Sequence, residues 1–106
     1  MKFQFHNKEE LNAFITLLQE INLQLESELM SEIDSFKRYE ISARIELLDE
    51  LFPIVYKKQF NQQVKSSIKI TKAVSIIIFQ NREIIVDIYT ELLKNRLVET
   101  IHRNMV

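Results

Sequence analysis

Residues 8–30 read KEELNAFITLLQEINLQLESELM. Within them Leu11, Phe14, Ile15, Leu18, Ile21, Leu25 and Leu29 recur at steps of three and four, the period that places side chains on one face of an α-helix. The stretch reads as a single amphipathic helix, about 35 Å long at the helical rise per residue. Asn7 stands before it as an N-cap, and Glu10 follows three residues on, a variant of the capping box. Upstream, Met1, Phe3 and Phe5 alternate with Lys2 and Gln4, the period of a short half-buried strand.

Downstream the helical period continues through Ile33, Phe36, Ile41, Ile45, Leu48, Phe52 and Val55, with Ser31 and Asp34 together forming a second candidate cap. With no glycine or proline nearby, a reversal at Ser31 and a straight continuation are both open. The only proline, Pro53, argues for a kink or a new helix start near residue 52, because it lacks an N–H and clashes with the preceding turn. Residues 64–88 carry two readings. As a helix, Val64, Ile68, Thr71, Val74, Ile78, Ile85, Ile88 and Leu92 line one stripe. As strands, Ile68 and Ile70, then Val74, Ile76 and Ile78, alternate among β-branched neighbours. A faint echo of Phe5–Leu11 in Phe79–Ile85 suggests that strand, Asn cap and helix occur twice, but the register slips downstream. The helix is preferred for 64–88, and residues 89–104 are helical on either reading.

Composition supports an α-rich fold by exclusion. The 106 residues include no glycine and no cysteine. Phosphate-cradling loops, dinucleotide fingerprints and the commonest tight hairpins need glycine, whereas helices do not. Disulfides, thiolate nucleophiles and cysteine-ligated zinc fall away with cysteine. The apolar share of 46 % and charged share of 27 % are those of an ordinary globular chain, not a disordered one. No apolar run nears the ~20 residues that span a bilayer, and no signal-peptide pattern opens the chain, so the expected location is the cytoplasm, without membrane contact. The expected fold is mainly α: one domain, 1–106, forming a three- to four-helix bundle or helical hairpin with a short N-terminal β-strand. The alternative is α+β, with strands in 66–79 pairing with 1–5.

Charge is divided along the chain. Residues 1–53 hold eleven acids against five bases, and residues 54–106 hold nine bases against four acids. Either the two halves neutralise each other across an apolar interface, or one charged face is left open for a partner. The candidate partner-binding set is Glu20, Glu26, Glu28, Glu32 and Asp34, with Phe36 and Tyr39 as aromatic anchors. The alternative is a nucleic-acid regulator using Lys57, Lys58, Lys65, Lys69, Lys72 and Arg82, interspersed with Gln59, Asn61, Gln62, Gln63 and Ser66. On a helix Lys65, Lys69 and Lys72 would share one face. The acidic sequence pI of about 6.1 and the scarcity of arginine weigh against that alternative.

Chemistry-bearing motifs are isolated. Glu99 and His102 make one E-x-x-H, half of what a di-iron helix pair requires. Ser66 and Lys69 spell S-x-x-K without the elements that accompany it in serine acyl enzymes. A set drawn from Ser75, His102 and Glu83 has no local elbow or oxyanion hole behind it. No catalytic, metal or cofactor site is expected. Long helices with near-heptad stripes and few aromatics suggest apolar surface shared between copies, hence a homodimer or higher homo-oligomer. The functional expectation is a non-enzymatic protein–protein interaction module: an adaptor, scaffold or inhibitor. The composition also resembles that of phage and mobile-element accessory proteins, with no motif behind the likeness.

Overall fold

A computed structural model describes residues 1–61 and 65–105. The elements run β1 (Lys2–Phe5), α1 (Lys8–Ser31), α2 (Ser35–Phe60), β2 (Ser66–Lys69), α3 (Lys72–Gln80) and α4 (Ile88–Met105). Among the described residues the fold is mainly α, four helices with a short two-stranded antiparallel sheet.

α1 is the spine. Asn7 Oδ1 accepts from the Glu10 amide at 2.8 Å, and the Glu10 carboxylate accepts from the His6 amide at 2.8 Å, so the capping box is displaced by one residue. The expected stripe is buried from Leu11 to Leu25, and Ala13 and Leu17 are buried beside it, because α1 is covered on more than one side. The chain does reverse after Ser31. Asp34 caps α2 by accepting from the Lys37 amide at 2.9 Å, and α2 returns antiparallel along α1. Cross-links from Gln19 Nε2 to Tyr56 Oη and from Gln59 Nε2 to Asn12 Oδ1, each 3.0 Å, fix that register. α1 has no basic residue in its last turn, and the Arg38 guanidinium of α2 donates to the carbonyls of Leu29 and Glu32 in its place.

The proline expectation needs correcting. α2 continues through Pro53 with no new start at residue 52. Pro53 lies on the exposed side, and Leu48, Leu51 and Val55 are buried around it, so packing holds the helix across the missing hydrogen bond.

Residues 66–88 divide between the two readings. Ser66–Lys69 form β2, paired antiparallel with β1 in the register Lys2↔Lys69, Phe3↔Ile68, Gln4↔Ser67, Phe5↔Ser66, which overturns the helix there. Phe3 and Phe5 pack on Phe14 of α1 with ring centroids 6.0 and 5.2 Å away, and Ile68 is buried beside them. The strand reading then fails in turn for Val74–Ile78. Thr71 Oγ1 caps α3 by accepting from the Val74 amide at 3.3 Å, and Val74, Ile77 and Ile78 are buried at helical spacing. Asn81 ends α3, with its side chain donating to the Ile77 carbonyl at 2.9 Å; the echo of Asn7 therefore marks a helix end, not a second start. The stripe expected to run on through Ile85, Ile88 and Leu92 stops at this break, and those three are exposed. Leu93, Leu97 and Ile101 anchor α4 instead. Gln62, Gln63 and Val64 of the sequence reading lie outside the described residues.

Candidate functional site

The hairpin outruns the core. No residue from 26 to 40 is buried, although Ile33 and Phe36 continue the apolar period. Met30, Ile33, Phe36 and Tyr39 are between 69 % and 96 % exposed, gathered at the turn between α1 and α2. Of the expected partner-binding set, Glu26, Glu28, Glu32, Asp34, Phe36 and Tyr39 come together at this tip. Three of the acids are partly committed: Asp34 caps α2, Glu32 accepts from the Asp34 amide at 3.1 Å, and Glu26 accepts from the Asn22 side-chain amide at 3.4 Å. Ile33 was missed as a site residue because its spacing is that of a core position, and Met30 because it stands off the apolar stripe beside Leu29.

Glu20 lies elsewhere. It lines a groove of about 500 Å³ between α1 and α2, with Asn22 and Leu23 on one wall and Asp49, Phe52 and Tyr56 on the other. The Phe52 and Tyr56 rings are stacked, with centroids 5.6 Å apart and planes 23° from parallel. The sequence signal for this wall was Pro53, unusual inside a helix and adjacent to Phe52.

The two charged halves do not neutralise each other. Among the described residues, the ion pairs are Arg82–Glu83, Lys94–Glu91, Arg103–Glu99 and Arg96–Glu10, and only the last joins the halves. Arg96 reaches Glu10, the Gln4 carbonyl and His6 Nε2, and its guanidinium sits 5.2 Å from the Phe3 ring centroid. Burial pushes the Glu10 carboxyl up. The hydrogen bonds from Arg96 and the His6 amide, with the Arg96 charge, outweigh it and hold the group below its ordinary value. Tyr89 Oη donates to Asn7 Oδ1 at 2.8 Å beside this clasp, and burial, then the Glu10 charge, raises its phenol.

The basic set is dispersed. Lys57 and Lys58 end α2, Lys65 precedes β2, Lys69 is on β2, Lys72 opens α3, and Arg82 follows α3 with its guanidinium 4.5 Å from the Phe79 ring. Lys65, Lys69 and Lys72 share no helix face, because β2 intervenes. Lys2 stands directly across the sheet from Lys69, a like-charge pairing that local reading could not find.

The remaining motifs are accounted for locally. Ser66 and Lys69 are three residues apart on a strand, so they point to opposite faces. Ser75 is buried and donates to the Lys72 carbonyl at 2.7 Å. Glu99 pairs with Arg103, and no group of three or more metal-binding side chains occurs among the described residues. Among those residues, no helix is long and apolar enough to cross a membrane. No protein-family model, curated protein or solved structure matches the chain.

Proposed function

We propose that the protein is a non-enzymatic interaction module, an adaptor, scaffold or inhibitor acting in the cytoplasm, which seats the α1–α2 hairpin tip in a partner protein. The observation carrying this reading is the unburied run 26–40 with Met30, Ile33, Phe36 and Tyr39 in the open. These side chains add nothing to the monomer core, whereas each buried in a complex contributes about 1.5–3 kcal/mol. Aromatic anchors such as Phe36 and Tyr39 are the usual centres of such interfaces. Glu26, Glu28, Glu32, Asp34 and Glu40 are interspersed with them along the chain, against Lys37 and the committed Arg38. The fitting partner presents an apolar cleft with a basic rim, and the charges set approach and orientation more than affinity.

Self-association has a different surface. Ile85, Ile88 and Leu92 are between 58 % and 83 % exposed, and Ile88 and Leu92 stand one turn apart on α4. Copies pair there, leaving the tip free.

A photoreactive residue at position 36 tests the tip. The expected result is a discrete crosslinked partner in host lysate that disappears when Ile33→Asp is added. Equal crosslinking with and without that change overturns the reading.

A further inference from the structure

β1 and β2 form a ribbon with one face buried and one open. Phe3, Phe5 and Ile68 take the inner face, so alternation along each strand puts Lys2 and Gln4, with Ser67 and Lys69, on the outer one. The register sets Lys2 directly across from Lys69, and like charges placed opposite each other destabilise a sheet. Among the described residues neither lysine has an ion-pair partner, and neither do Lys65 and Lys72. The Ile70 amide donates to the Met1 carbonyl at 2.7 Å, which carries the ladder one step past Lys2, and Lys72 lines the hollow at that end. Lys65 lines the hollow at the other end, beside Gln4 and His6. A third hollow, between β1 and α4, is lined by Lys2, Gln4, His6 and Arg96 among others. Among the described residues no carboxylate lines any of the three. Of the two acids in the first turn of α1, Glu9 and Glu10, the second is held by Arg96.

We propose that the outer face of this ribbon docks on the phosphate backbone of duplex nucleic acid, as a second binding surface separate from the hairpin tip. A row of lysines compensates a polyanion, whereas lysine is depleted from the cores of protein interfaces. Lysine meets a phosphate as a point charge, and Gln4 and Ser67 add neutral donors of the kind that contact phosphate oxygens. The outer face carries no aromatic ring on which an unpaired base could stack, because Phe3 and Phe5 are buried, so an intact duplex is the fitting form. A major groove about 12 Å wide admits a two-stranded ribbon, whose strands lie about 5 Å apart. Arg96, the arginine beside β1, is already given to Glu10 and the Gln4 carbonyl, so no free guanidinium there reads a guanine. Binding is therefore indifferent to sequence.

The net charge of −1 does not oppose this docking, because the acids are held apart from the ribbon. β1 leads into the start of α1, and the tip with Glu26, Glu28, Glu32 and Asp34 stands at its far end. The length of α1 puts about 35 Å between them. Screening at physiological salt acts over about 8 Å, so a duplex on the ribbon does not feel the acidic tip. Both surfaces can be occupied at once, which lets the chain join a protein to a nucleic acid.

Fluorescence anisotropy of a labelled random duplex of about 20 base pairs, titrated with the full chain over a salt series, tests the surface without needing the protein partner. With Lys2, Lys65, Lys69 and Lys72 in contact, affinity should fall about a hundredfold between about 50 and about 200 mM salt. The Lys2→Gln, Lys69→Gln double variant should bind about tenfold or more weakly at low salt, with a logarithmic salt slope smaller by about two. Its unfolding midpoint should be equal or higher, because the opposed charges are gone. A Lys57→Gln, Lys58→Gln variant, altered at the end of α2, should keep its affinity within about twofold. No binding at low salt, a flat salt series, an unaltered ribbon variant, or an equal loss in the α2 variant would overturn the proposal. So would tighter binding to single strands, poly-glutamate or phosphatidylserine vesicles than to the duplex, or a fall in midpoint that matches the loss of binding. Failure of the tip appears instead as loss of the position-36 crosslink with duplex binding intact.

Discussion

Replacing Glu10 by Gln removes the charge from the one ion pair that, among the described residues, ties the chain's two halves together. The native carboxylate accepts from the His6 amide and from Arg96, and hydrogen bonds to charged groups contribute about 1.5–3 kcal/mol. The Glu10 side chain is only 13 % exposed, but Arg96 is 36 % exposed, so solvent screening reduces the charged part. Gln still accepts from His6 through its carbonyl oxygen. The expected loss at neutral pH is therefore about 1–2 kcal/mol. The folded-state pKa of Glu10 is depressed from its ordinary 4.5, so its contribution is present above that value and is lost as the pH falls through the folded-state pKa. Urea unfolding of both proteins at about pH 7 and about pH 3 reads this directly, since the midpoints should differ at the first and converge towards the second. A difference of the same size at both pH values, or none at neutrality, would refute the electrostatic account of the clasp.

Phe14→Ala should cost about 3–5 kcal/mol, because it removes the ring on which Phe3 and Phe5 pack, whereas Phe36→Ala should change stability by less than about 0.5 kcal/mol in the same denaturant series. Pro53→Ala restores the donor to the Asp49 carbonyl and should raise stability by about 1–3 kcal/mol in the same denaturant series. Ile88→Glu should shift the sedimentation profile from a concentration-dependent oligomer to a monomer at unchanged helix content; a wild-type monomer at micromolar concentration would remove the α4 pairing.

The legible parts of the fold are those set by neighbours in sequence. Leu11 to Leu25 repeat often enough to declare α1, and Asn7 with Glu10 marks its start within one residue of the true hydrogen bonds. Ser66–Lys69 is too short for its alternation to outweigh a helical period, and its strand exists because Phe3 and Phe5, more than sixty residues upstream, supply the partner. Val74–Ile78 shows the converse: β-branched density yields to the Thr71 cap and to burial at helical spacing.

At the tip the acids and both aromatics were readable from their clustering between Glu26 and Tyr39. The exposure of Ile33 was not, because an apolar stripe looks the same where it outruns its neighbours. Glu20 stands apart from the rest because the helix carries it back along the hairpin to Asp49 and Tyr56, residues that only the antiparallel return brings near. Lys2 was invisible as a partner for Lys69 for the same reason.

The central claim is that the hairpin tip is a binding surface and not part of the fold. Its most direct test is the affinity of the partner identified from position 36, compared between the native chain and an Ile33→Ser, Phe36→Ala double variant, with the unfolding midpoint measured on the same samples. The expected outcome is binding weakened about a hundredfold or more at an unchanged midpoint. Equal affinity, or a loss of binding matched by a loss of stability, would contradict it.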